Sequence, residues 1–376
     1  MIEIPQHIKK LVPYKAGKPI EELAREKGLK NIVKLASNEN PLGPSPKAIE
    51  EIKRHLLELH RYIDPSNFNL NIALSKKYNK NPEHFICGSG SDSLLQYIIA
   101  AFTNEGDETL TSEGTFIGWY VNINKLNRVN KTVPFNNYYY DLNAIAKKIT
   151  PKTKIVYLAN PNNPTGTMFS KNEFENFLLN VPQNVLIVLD EAYTMYSEDL
   201  PDVVNGLMYE LPNLIITRTL SKAYGLAGLR VGFAYGPQEL IHELYKVKLP
   251  FEPNHLAEVA AIAALDDEEF IKQTKKMNQF SLNKFREFFE ENNIVYIETA
   301  ANFYLFLLKD EIVTSEFVMS CMEKGLILRH VKNFGIPNGI RINSGNEFET
   351  EFAIEVMSEV LDELKIKSST NKQVVK

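Results

Sequence analysis

Short apolar runs alternate with helical patterns along the first two thirds of the chain, and this alternation constrains the fold most. The runs lie at 84–88, 108–112, 154–159, 185–190, 213–218 and 230–235. Runs of this length are typical of strands buried on both faces. Their alternation with helices predicts an α/β fold with a mostly parallel sheet and helices on both faces. A hydrolase-like α/β domain is the alternative, but no G-x-S-x-G sequence is present.

The length of the chain predicts more than one domain, because 376 residues exceed the size at which a single core stops growing. After about residue 253 long amphipathic helices dominate, with strands expected near 294–297 and 303–308 and a last amphipathic helix after them. We expect an N-terminal arm (1–32), a large domain (33–252), a smaller α+β domain (253–366) and a polar tail (367–376).

Composition excludes several classes of protein. The net charge of −5 gives no reason to expect nucleic acid or a membrane surface as a partner. Two distant cysteines, Cys87 and Cys321, offer no disulfide framework and suit a reducing compartment. The N-terminus has no apolar segment of the signal-peptide kind. The seven scattered histidines form no metal-binding spacing. We therefore expect a cytoplasmic protein without a metal site.

A turn after the run 213–218 carries a lysine between hydroxyls and an arginine, in Thr219-Leu-Ser-Lys-Ala-Tyr-Gly-Leu-Ala-Gly-Leu-Arg230. Hydroxyls and a guanidinium suit a phosphate, and a lysine can form a Schiff base with an aldehyde. Pyridoxal 5′-phosphate (PLP) carries both groups. Lys222 would be the Schiff-base lysine, with Thr219, Ser221 and Arg230 on the phosphate. An ordinary loop remains the alternative, because S-K-x-x-G is common in loops.

The buried run 185–190 ends in the acidic pair Asp190-Glu191 and is followed by Tyr193. A carboxylate beside the ring nitrogen of PLP keeps that nitrogen protonated, and Asp190 is the candidate. Glu191 is the rival, but adjacent strand residues point to opposite faces. Tyr193 could donate to the phenolic O3′. A magnesium-binding strand end is the alternative, but it needs a phosphate loop that the sequence lacks.

Two further turns supply polar groups where strands are expected to end. Asn160-Pro-Asn-Asn-Pro-Thr-Gly166 would present the Asn163 amide to O3′, or serve as a structural turn. Gly88-Ser-Gly-Ser-Asp92 reads as a glycine-rich turn before a helix, which is an anion site. The dinucleotide fingerprint fails there because its third glycine is replaced by Ser93. This favours a single phosphate over NAD.

Together these stretches resemble the fold-type I PLP aminotransferases, and within that family the histidinol-phosphate aminotransferases. The resemblance runs from about Leu11 to about Leu364. Its other marks are Lys34-Leu-Ala-Ser-Asn-Glu-Asn-Pro-Leu-Gly43, His60-Arg-Tyr62 and Gly339-Ile-Arg341-Ile-Asn.

The resemblance implies a role for each cofactor residue. Lys222 binds the aldehyde and later moves the proton between Cα and C4′. Asp190 pairs with the ring nitrogen, and Asn163 and Tyr193 bond O3′. Phe116 stacks on the ring, although Gly114 replaces the usual proline before it. The phosphate is bound by Ser91, Asp92, Thr219, Ser221 and Arg230. Since a carboxylate is unfavourable beside a phosphate, Asp92 is expected to contribute its backbone N–H.

The resemblance also implies the substrate residues and the assembly. Arg341 grips the α-carboxylate of amino-acid substrates, and Arg329 supplies a second cation. Tyr14, on an arm that folds over the site, and Asn38 complete the substrate set. Tyr62 reaches the phosphate of the neighbouring subunit, which implies a homodimer with shared sites. The segment Pro250-Phe-Glu-Pro-Asn-His255 departs from the commoner Pro-Phe-Asn-Val-Asn form.

The expected activity is transamination between glutamate and imidazole-acetol phosphate, giving 2-oxoglutarate and histidinol phosphate, in histidine biosynthesis. An aromatic-amino-acid aminotransferase is the first alternative, and a phosphothreonine-type decarboxylase is the second. A non-catalytic PLP-binding regulator is disfavoured because no DNA-binding segment precedes or follows the core.

Overall fold

The computed structural model describes residues 2–13, 20–29 and 31–366. The predicted Tyr14 and the polar tail 367–376 lie outside the described residues. The strands are β1 (Val33–Lys34), β2 (Phe85–Gly88), β3 (Glu108–Ser112), β4 (Val129–Val133), β5 (Thr153–Ala159), β6 (Leu186–Asp190), β7 (Leu214–Thr219), β8 (Gly232–Tyr235), β9 (Val295–Ile297), β10 (Phe303–Leu307), β11 (Leu326–Ile327), β12 (Arg329–His330) and β13 (Gly339–Asn343).

Helices connect these strands in the order that an α/β protein requires. They are α1 (Gln6–Lys9), α2 (Ile20–Lys27), α3 (Pro46–His55), α4 (Phe68–Tyr78), α5 (Ser91–Phe102), α6 (Ile117–Lys125), α7 (Leu142–Lys147), α8 (Lys171–Leu178), α9 (Gln238–Val247), α10 (His255–Leu265), α11 (Glu268–Glu291), α12 (Glu311–Glu323) and α13 (Glu347–Glu363). None of the helices in the described residues is long and apolar enough to cross a membrane.

The central sheet has seven strands in the order β2-β8-β7-β6-β5-β3-β4. Strands β4, β3, β5, β6 and β7 run parallel, and β8 is antiparallel to both β7 and β2. The six predicted strands are confirmed within two residues at each end. The predicted α/β fold, with a mostly parallel sheet and a second α+β part, is confirmed.

Helices cover both faces of this sheet because β5 and β6 bury side chains on both sides. One face packs Tyr157 and Val188 against side chains of α5, α6 and α9. The other face packs Leu158 and Leu189 against α3, α4, α7, α8 and α10. Alternate residues of a strand thus enter two separate cores. The carboxyl ends of β5, β6 and β7 consequently meet at one edge, where such sheets bind ligands.

A second, antiparallel sheet has the order β12-β13-β10-β9. It packs against α11, α12 and α13 in a core of its own. Strand β1 pairs in parallel with β11, which ties the chain before the large sheet to the second core. Helix α10 instead packs on the large sheet through Ala257, Ala261 and Leu265. The domain boundaries stay a prediction, and this packing favours a boundary after Leu265 over one at 253.

Candidate active site

A cavity of about 220 Å³ opens at the carboxyl ends of β5, β6 and β7. Among the described residues, no group of three His, Cys, Asp or Glu side chains could hold a metal ion. The predicted site residues that line the cavity are Asn38, Ser91, Asp92, Phe116, Asn163, Asp190, Tyr193, Thr219, Ser221, Lys222, Arg230, Arg329 and Arg341. Segments far apart in sequence therefore meet at one place, as a common ligand would require.

Lys222 lies three residues after β7, with its amine at the cavity. Its Nζ donates to the backbone oxygen of Ser37 at 3.0 Å. Burial lowers the pKa of Lys222 to about 7, and the positive charges of Arg341 and Arg230 add to this effect. A lysine with such a pKa is partly neutral near pH 7 and can act as a nucleophile.

Asp190 ends β6 and is directed into the cavity, whereas its neighbour Glu191 is not. Glu191 forms a buried ion pair with Arg218 on the opposite face, with an N–O distance of 2.7 Å. The opposite directions of the two acids follow from strand geometry. Burial raises the pKa of Asp190 to about 6, and a hydrogen bond from Tyr157 opposes that rise. A cationic ring nitrogen at the cavity would favour the ionised form.

A chain of hydrogen bonds joins the predicted O3′ ligands to Arg341, a predicted substrate residue. The Tyr193 hydroxyl accepts hydrogen bonds from the side-chain amides of Asn38 (2.8 Å) and Asn163 (3.3 Å). The Asn163 Oδ1 in turn accepts from Arg341, which also donates to the Ala36 carbonyl at 2.7 Å. Burial raises the pKa of Tyr193, so its hydroxyl stays protonated and able to donate.

The anion site forms where the turn after β2 meets the turn after β7. Gly90 caps α5, and Ser91 is the first helical residue. The Arg230 Nη1 donates to the Ser221 hydroxyl at 3.2 Å. A Cβ atom on Gly90 would lie 2.6 Å from the Arg230 Nη2. Glycine therefore leaves the space in which the guanidinium sits beside the backbone N–H groups of the helix start, an arrangement that suits a phosphate.

Asp92 directs its carboxylate away from this anion site. Its Oδ1 accepts a hydrogen bond from the Asn122 side chain of α6 at 3.0 Å. This geometry agrees with the expected contribution of Asp92 through its backbone N–H, because the Asp92 carboxylate is hydrogen-bonded to Asn122.

The loop before α6 has a backbone conformation at Gly114 that excludes the proline expected there from the family resemblance. Gly114 has a φ of +58°, which proline cannot adopt because its ring fixes φ near −65°. A Cβ atom there would lie 2.3 Å from the Phe135 ring. The loop therefore differs from the proline form, while Phe116 still forms part of the cavity wall.

The two predicted substrate arginines, Arg329 and Arg341, are direct neighbours across the antiparallel pair of β12 and β13. Both guanidinium groups lie over the ring of Phe334, with Cζ-to-centroid distances of 5.9 Å for Arg329 and 6.0 Å for Arg341. Two adjacent cations of this kind suit a doubly charged or bidentate anion.

Sequence reasoning missed three residues of the site. Tyr157 donates to Asp190, Ser37 accepts from Lys222, and Phe334 lies beneath both arginines. Tyr157 carried one usable signal, because it stands two residues before the end of β5 and therefore points to the same face as Ala159. For Ser37 and Phe334 no local pattern indicated the contact.

Tyr62 does not line the cavity of its own chain, and its side chain is 82% exposed. Its ring stacks on Phe251 at a centroid distance of 4.3 Å. The unusual Glu252 accepts a hydrogen bond from Tyr97 at 2.7 Å and so fixes the loop that carries Phe251.

The similarity to known proteins extends over nearly the whole length of this chain. The histidinol-phosphate aminotransferase 2 of Haemophilus influenzae is 40% identical over 356 residues, which cover 94% of this chain and 96% of that protein. The histidinol-phosphate aminotransferase of Caldicellulosiruptor saccharolyticus is also 40% identical over 356 residues, covering 94% and 99%.

A crystal structure of the histidinol-phosphate aminotransferase from Sinorhizobium meliloti, in complex with PLP, has a TM-score of 0.90. It is 26% identical, and the match covers 97% of this chain and 99% of that one. The sequence model of the family "aminotransferase class I and II" matches residues 30–357. With its lysine, carboxylate and anion site in one cavity, this chain belongs to the class I and II aminotransferases.

Proposed function

We propose that this protein is a PLP-dependent transaminase that exchanges an amino group between glutamate and histidinol phosphate, in histidine biosynthesis. The observation that carries the proposal is the position of the Lys222 amine in a cavity that also holds Asp190 and an anion-binding helix start. Relatives that are 40% identical and named histidinol-phosphate aminotransferase support the choice of substrate.

The cavity fits PLP in each of its chemical groups. Lys222 would hold the aldehyde carbon, and Asp190 would pair with the ring nitrogen. Asn163 and Tyr193 would bond O3′. The start of α5 at Ser91, beside Arg230, would take the phosphate. When bound, PLP supplies an electron-withdrawing ring that stabilises negative charge at the substrate Cα.

The residues of the chain would carry out the remaining work. Lys222, with its pKa lowered to about 7, would first present a neutral amine and later accept the proton from the substrate Cα. Asp190 would keep its negative charge beside the ring nitrogen and so hold a proton there. Phe116 would cover one face of the ring and limit its tilt. Each role needs only side chains that already line the cavity.

Two substrates with different anions would use the same pair of arginines in turn. Glutamate has an α-carboxylate, whereas histidinol phosphate has none and brings a phosphate. Guanidinium forks bind either group in a bidentate manner. Arg341 is buried and bonded to Asn163, so it is suited to hold the group next to Cα. Arg329, half-buried on the neighbouring strand, would add the second charge that a phosphate requires.

A second copy of the chain would complete the site. Large apolar side chains are exposed after α3 and before α10, including Leu57 (90%), Leu59 (58%), Tyr62 (82%) and Leu249 (58%). An apolar surface of this kind is typical of an interface. We propose a homodimer in which Tyr62 reaches the phosphate in the partner's cavity. We also propose a cytoplasmic location, which the two free, buried cysteines support.

The test is a screen of amino acceptors with the purified, PLP-loaded enzyme and glutamate as the donor. Imidazole-acetol phosphate should be the preferred acceptor, with formation of 2-oxoglutarate as the measured product. A preference for phenylpyruvate would identify an aromatic aminotransferase instead, and release of CO₂ from an amino-acid phosphate would identify a decarboxylase. The Arg329→Ala variant should lose more activity with the phosphate acceptor than in the glutamate half-reaction.

A further inference from the structure

Tyr157 is a fully buried residue of β5 that touches the functional carboxylate from inside the protein. Its hydroxyl donates to the Asp190 Oδ2 at 2.7 Å. In the parallel pair of β5 and β6, Ala159 is the register partner of Asp190. Tyr157, two residues earlier, therefore projects from the same face of the sheet as Asp190. Hydrogen bonds to an ionised acceptor are short and about twice as strong as neutral ones.

Both oxygens of Asp190 are held from the protein side. The Oδ1 accepts the backbone N–H of Ala192 at 3.2 Å, while Tyr157 holds the Oδ2. Asp190 lines the cavity, and Tyr157 is absent from its lining. Tyr157 would therefore have no direct contact with a ligand in the cavity, and its hydrogen bond acts on the carboxylate.

Trp119, the single tryptophan of the chain, fixes the ring of Tyr157. The two rings stack at a centroid distance of 4.4 Å with an interplanar angle of 9°. The Trp119 Nε1 has no hydrogen-bond partner among the described residues. Its position therefore depends on packing and stacking. Trp119 lies in the first turn of α6, three residues after Phe116, so one helix start carries both the cavity wall and the support of Tyr157.

The hydrogen bond also changes the charge balance of the carboxylate. Burial raises the pKa of Asp190, and the Tyr157 hydrogen bond lowers it, which makes Tyr157 the first of the opposing effects. Burial and the charge of Asp190 raise the pKa of the Tyr157 phenol well above its usual value, so the phenol remains a donor. Without the Tyr157 hydroxyl, burial would raise the pKa of Asp190 further.

We propose that Tyr157, held in place by stacking on Trp119, is a positioning residue that keeps the Asp190 carboxylate ionised and aimed into the cavity. The inference rests on the proposed function, in which Asp190 pairs with the ring nitrogen of PLP. It adds Tyr157 and Trp119, two residues behind the cavity wall, to the residues on which Asp190 depends. Neither residue belongs to the sequence motif around Asp190.

The first experiment measures the ionisation of Asp190 in the full-length apoprotein. Infrared spectra over pH 4–9 would follow the protonated carboxyl band, and Asp190→Asn would assign it. Tyr157→Phe removes one oxygen and keeps the ring that Trp119 stacks on. The pKa of Asp190 should rise by about one unit or more, the equivalent of a hydrogen bond to a charged group. Tyr296→Phe is the matched control, because Tyr296 is also buried and donates to a carboxylate, Glu290, at 3.0 Å, far from the site.

The second experiment measures PLP affinity against pH, with quenching of Trp119 fluorescence as the signal. Wild-type affinity should fall as Asp190 becomes protonated, and the fall should occur at higher pH in Tyr157→Phe than in wild type or Tyr296→Phe. Trp119→Leu keeps the hydroxyl but removes the stacking ring, so its Asp190 band should also shift upward, with rescue by Trp119→Phe. PLP affinity of these two variants would be followed by visible absorbance.

An unchanged Asp190 band in a folded Tyr157→Phe protein would overturn the proposal. A shift of equal size in Tyr296→Phe would overturn it as well, because the effect would then not depend on this contact. Failure of the wild-type protein to bind PLP would contradict the proposed function alone, since the infrared titration would still decide the role of Tyr157.

Discussion

At the scale of single residues, burial moves two ionisable groups of the cavity toward their neutral forms. The pKa of Lys222 is lowered to about 7, and the pKa of Asp190 is raised to about 6. Each shift reflects mainly the cost of holding a charge away from water. PLP would bring the missing counter-charges, a phosphate and a cationic ring nitrogen. The apoprotein is therefore prepared for a ligand with charges at both ends.

The first prediction concerns the reactivity of Lys222. The rate at which the apoprotein captures PLP should increase as pH rises through about 7, because the neutral amine is the nucleophile. Stopped-flow absorbance over pH 5.5–9 would measure this rate. Lys222→Ala is the control and should show no pH-dependent covalent phase. A capture rate that stays level across pH 7 would contradict the lowered pKa.

The second prediction compares two adjacent acids in the apoprotein. Because the pKa of Asp190 is higher in the folded chain than its usual 3.8, this group stabilises the fold below pH 3.8 and loses that contribution as pH rises through about 6. Asp190→Asn should therefore stabilise the apoprotein at pH 8 by up to about 3 kcal/mol, while it abolishes most turnover.

Glu191→Gln is the matched comparison and should act with the opposite sign. It removes the negative charge of the buried pair and leaves the Arg218 guanidinium buried without a counter-charge from Glu191. The expected cost is about 3–5 kcal/mol of stability. Thermal unfolding of both apoproteins at pH 5 and pH 8 would measure the two effects. A destabilised Asp190→Asn apoprotein at pH 8 would refute the raised pKa of that carboxylate.

Sequence patterns predict the place of some cavity residues and not the role of the residues behind them. Asp190 ends one apolar run and Lys222 lies in the turn after another, so strand geometry and chemistry place both at the edge of the sheet. Tyr157 lies inside such a run, and its hydrogen-bond partner comes 33 residues later on another strand. Its role depends on the register of β5 against β6, which an apolar pattern does not specify.

At the scale of elements, the start of α5 depends on a glycine for two separate reasons. Gly90 has a φ of +81°, which disfavours other residues, and the Arg230 guanidinium occupies the place of a Cβ. Gly106 has a similar φ of +86°, but no atom lies within 4 Å of its Cβ position. Substitutions at the two glycines can therefore be compared to distinguish the effect of a positive φ from the effect of crowding beside Arg230.

The third prediction uses this pair of glycines. Gly90→Ala and Gly106→Ala should both lose stability, on the order of 1–3 kcal/mol each, because both glycines have a positive φ. Only Gly90→Ala should also displace Arg230, and so weaken PLP binding by about 10-fold or more, since a charge-assisted hydrogen bond is lost. Calorimetry of unfolding and titration with PLP would measure both effects. Equal PLP affinity in the two variants would remove Arg230 from the anion site.

The elements also show why sequence patterns predict some strands and miss others. β5 and β6 are buried on both faces, so they are continuous apolar runs. β4 is an edge strand with the sequence Val-Asn-Lys-Thr-Val and partly exposed side chains, and it has no such run. α10 follows the change of pattern near residue 253 but packs on the large sheet, because its alanines fit closely against α3 and α4.

At the scale of the whole molecule, the cavity is built from two sheets with different tasks. Lys222 and Asp190 follow or end strands of the large parallel sheet, whereas Arg329 and Arg341 are neighbours in the small antiparallel sheet. In the proposed function, the cofactor chemistry and the choice of substrate anion would therefore depend on separate cores. In the proposed dimer a third contribution, Tyr62, comes from the partner.

The last prediction tests that contribution by mixing inactive variants. In a heterodimer of Lys222→Ala and Tyr62→Ala chains, one site would carry both lesions and the other would carry none. With random pairing, about a quarter of wild-type activity should return at limiting PLP. Lys222→Ala mixed with Asp190→Asn is the control and should recover nothing, because both residues belong to the cavity of one chain.

Subunit exchange would be verified with tagged chains before activity is measured. If heterodimers form and the Lys222→Ala and Tyr62→Ala mixture stays inactive, Tyr62 does not complete the partner's site. Its exposure of 82% and its stacking on Phe251 would then belong to an interface without a catalytic contribution. Recovery in both mixtures would instead show that the lesions are not confined to single sites, and would contradict the arrangement of Lys222 and Asp190 within one cavity.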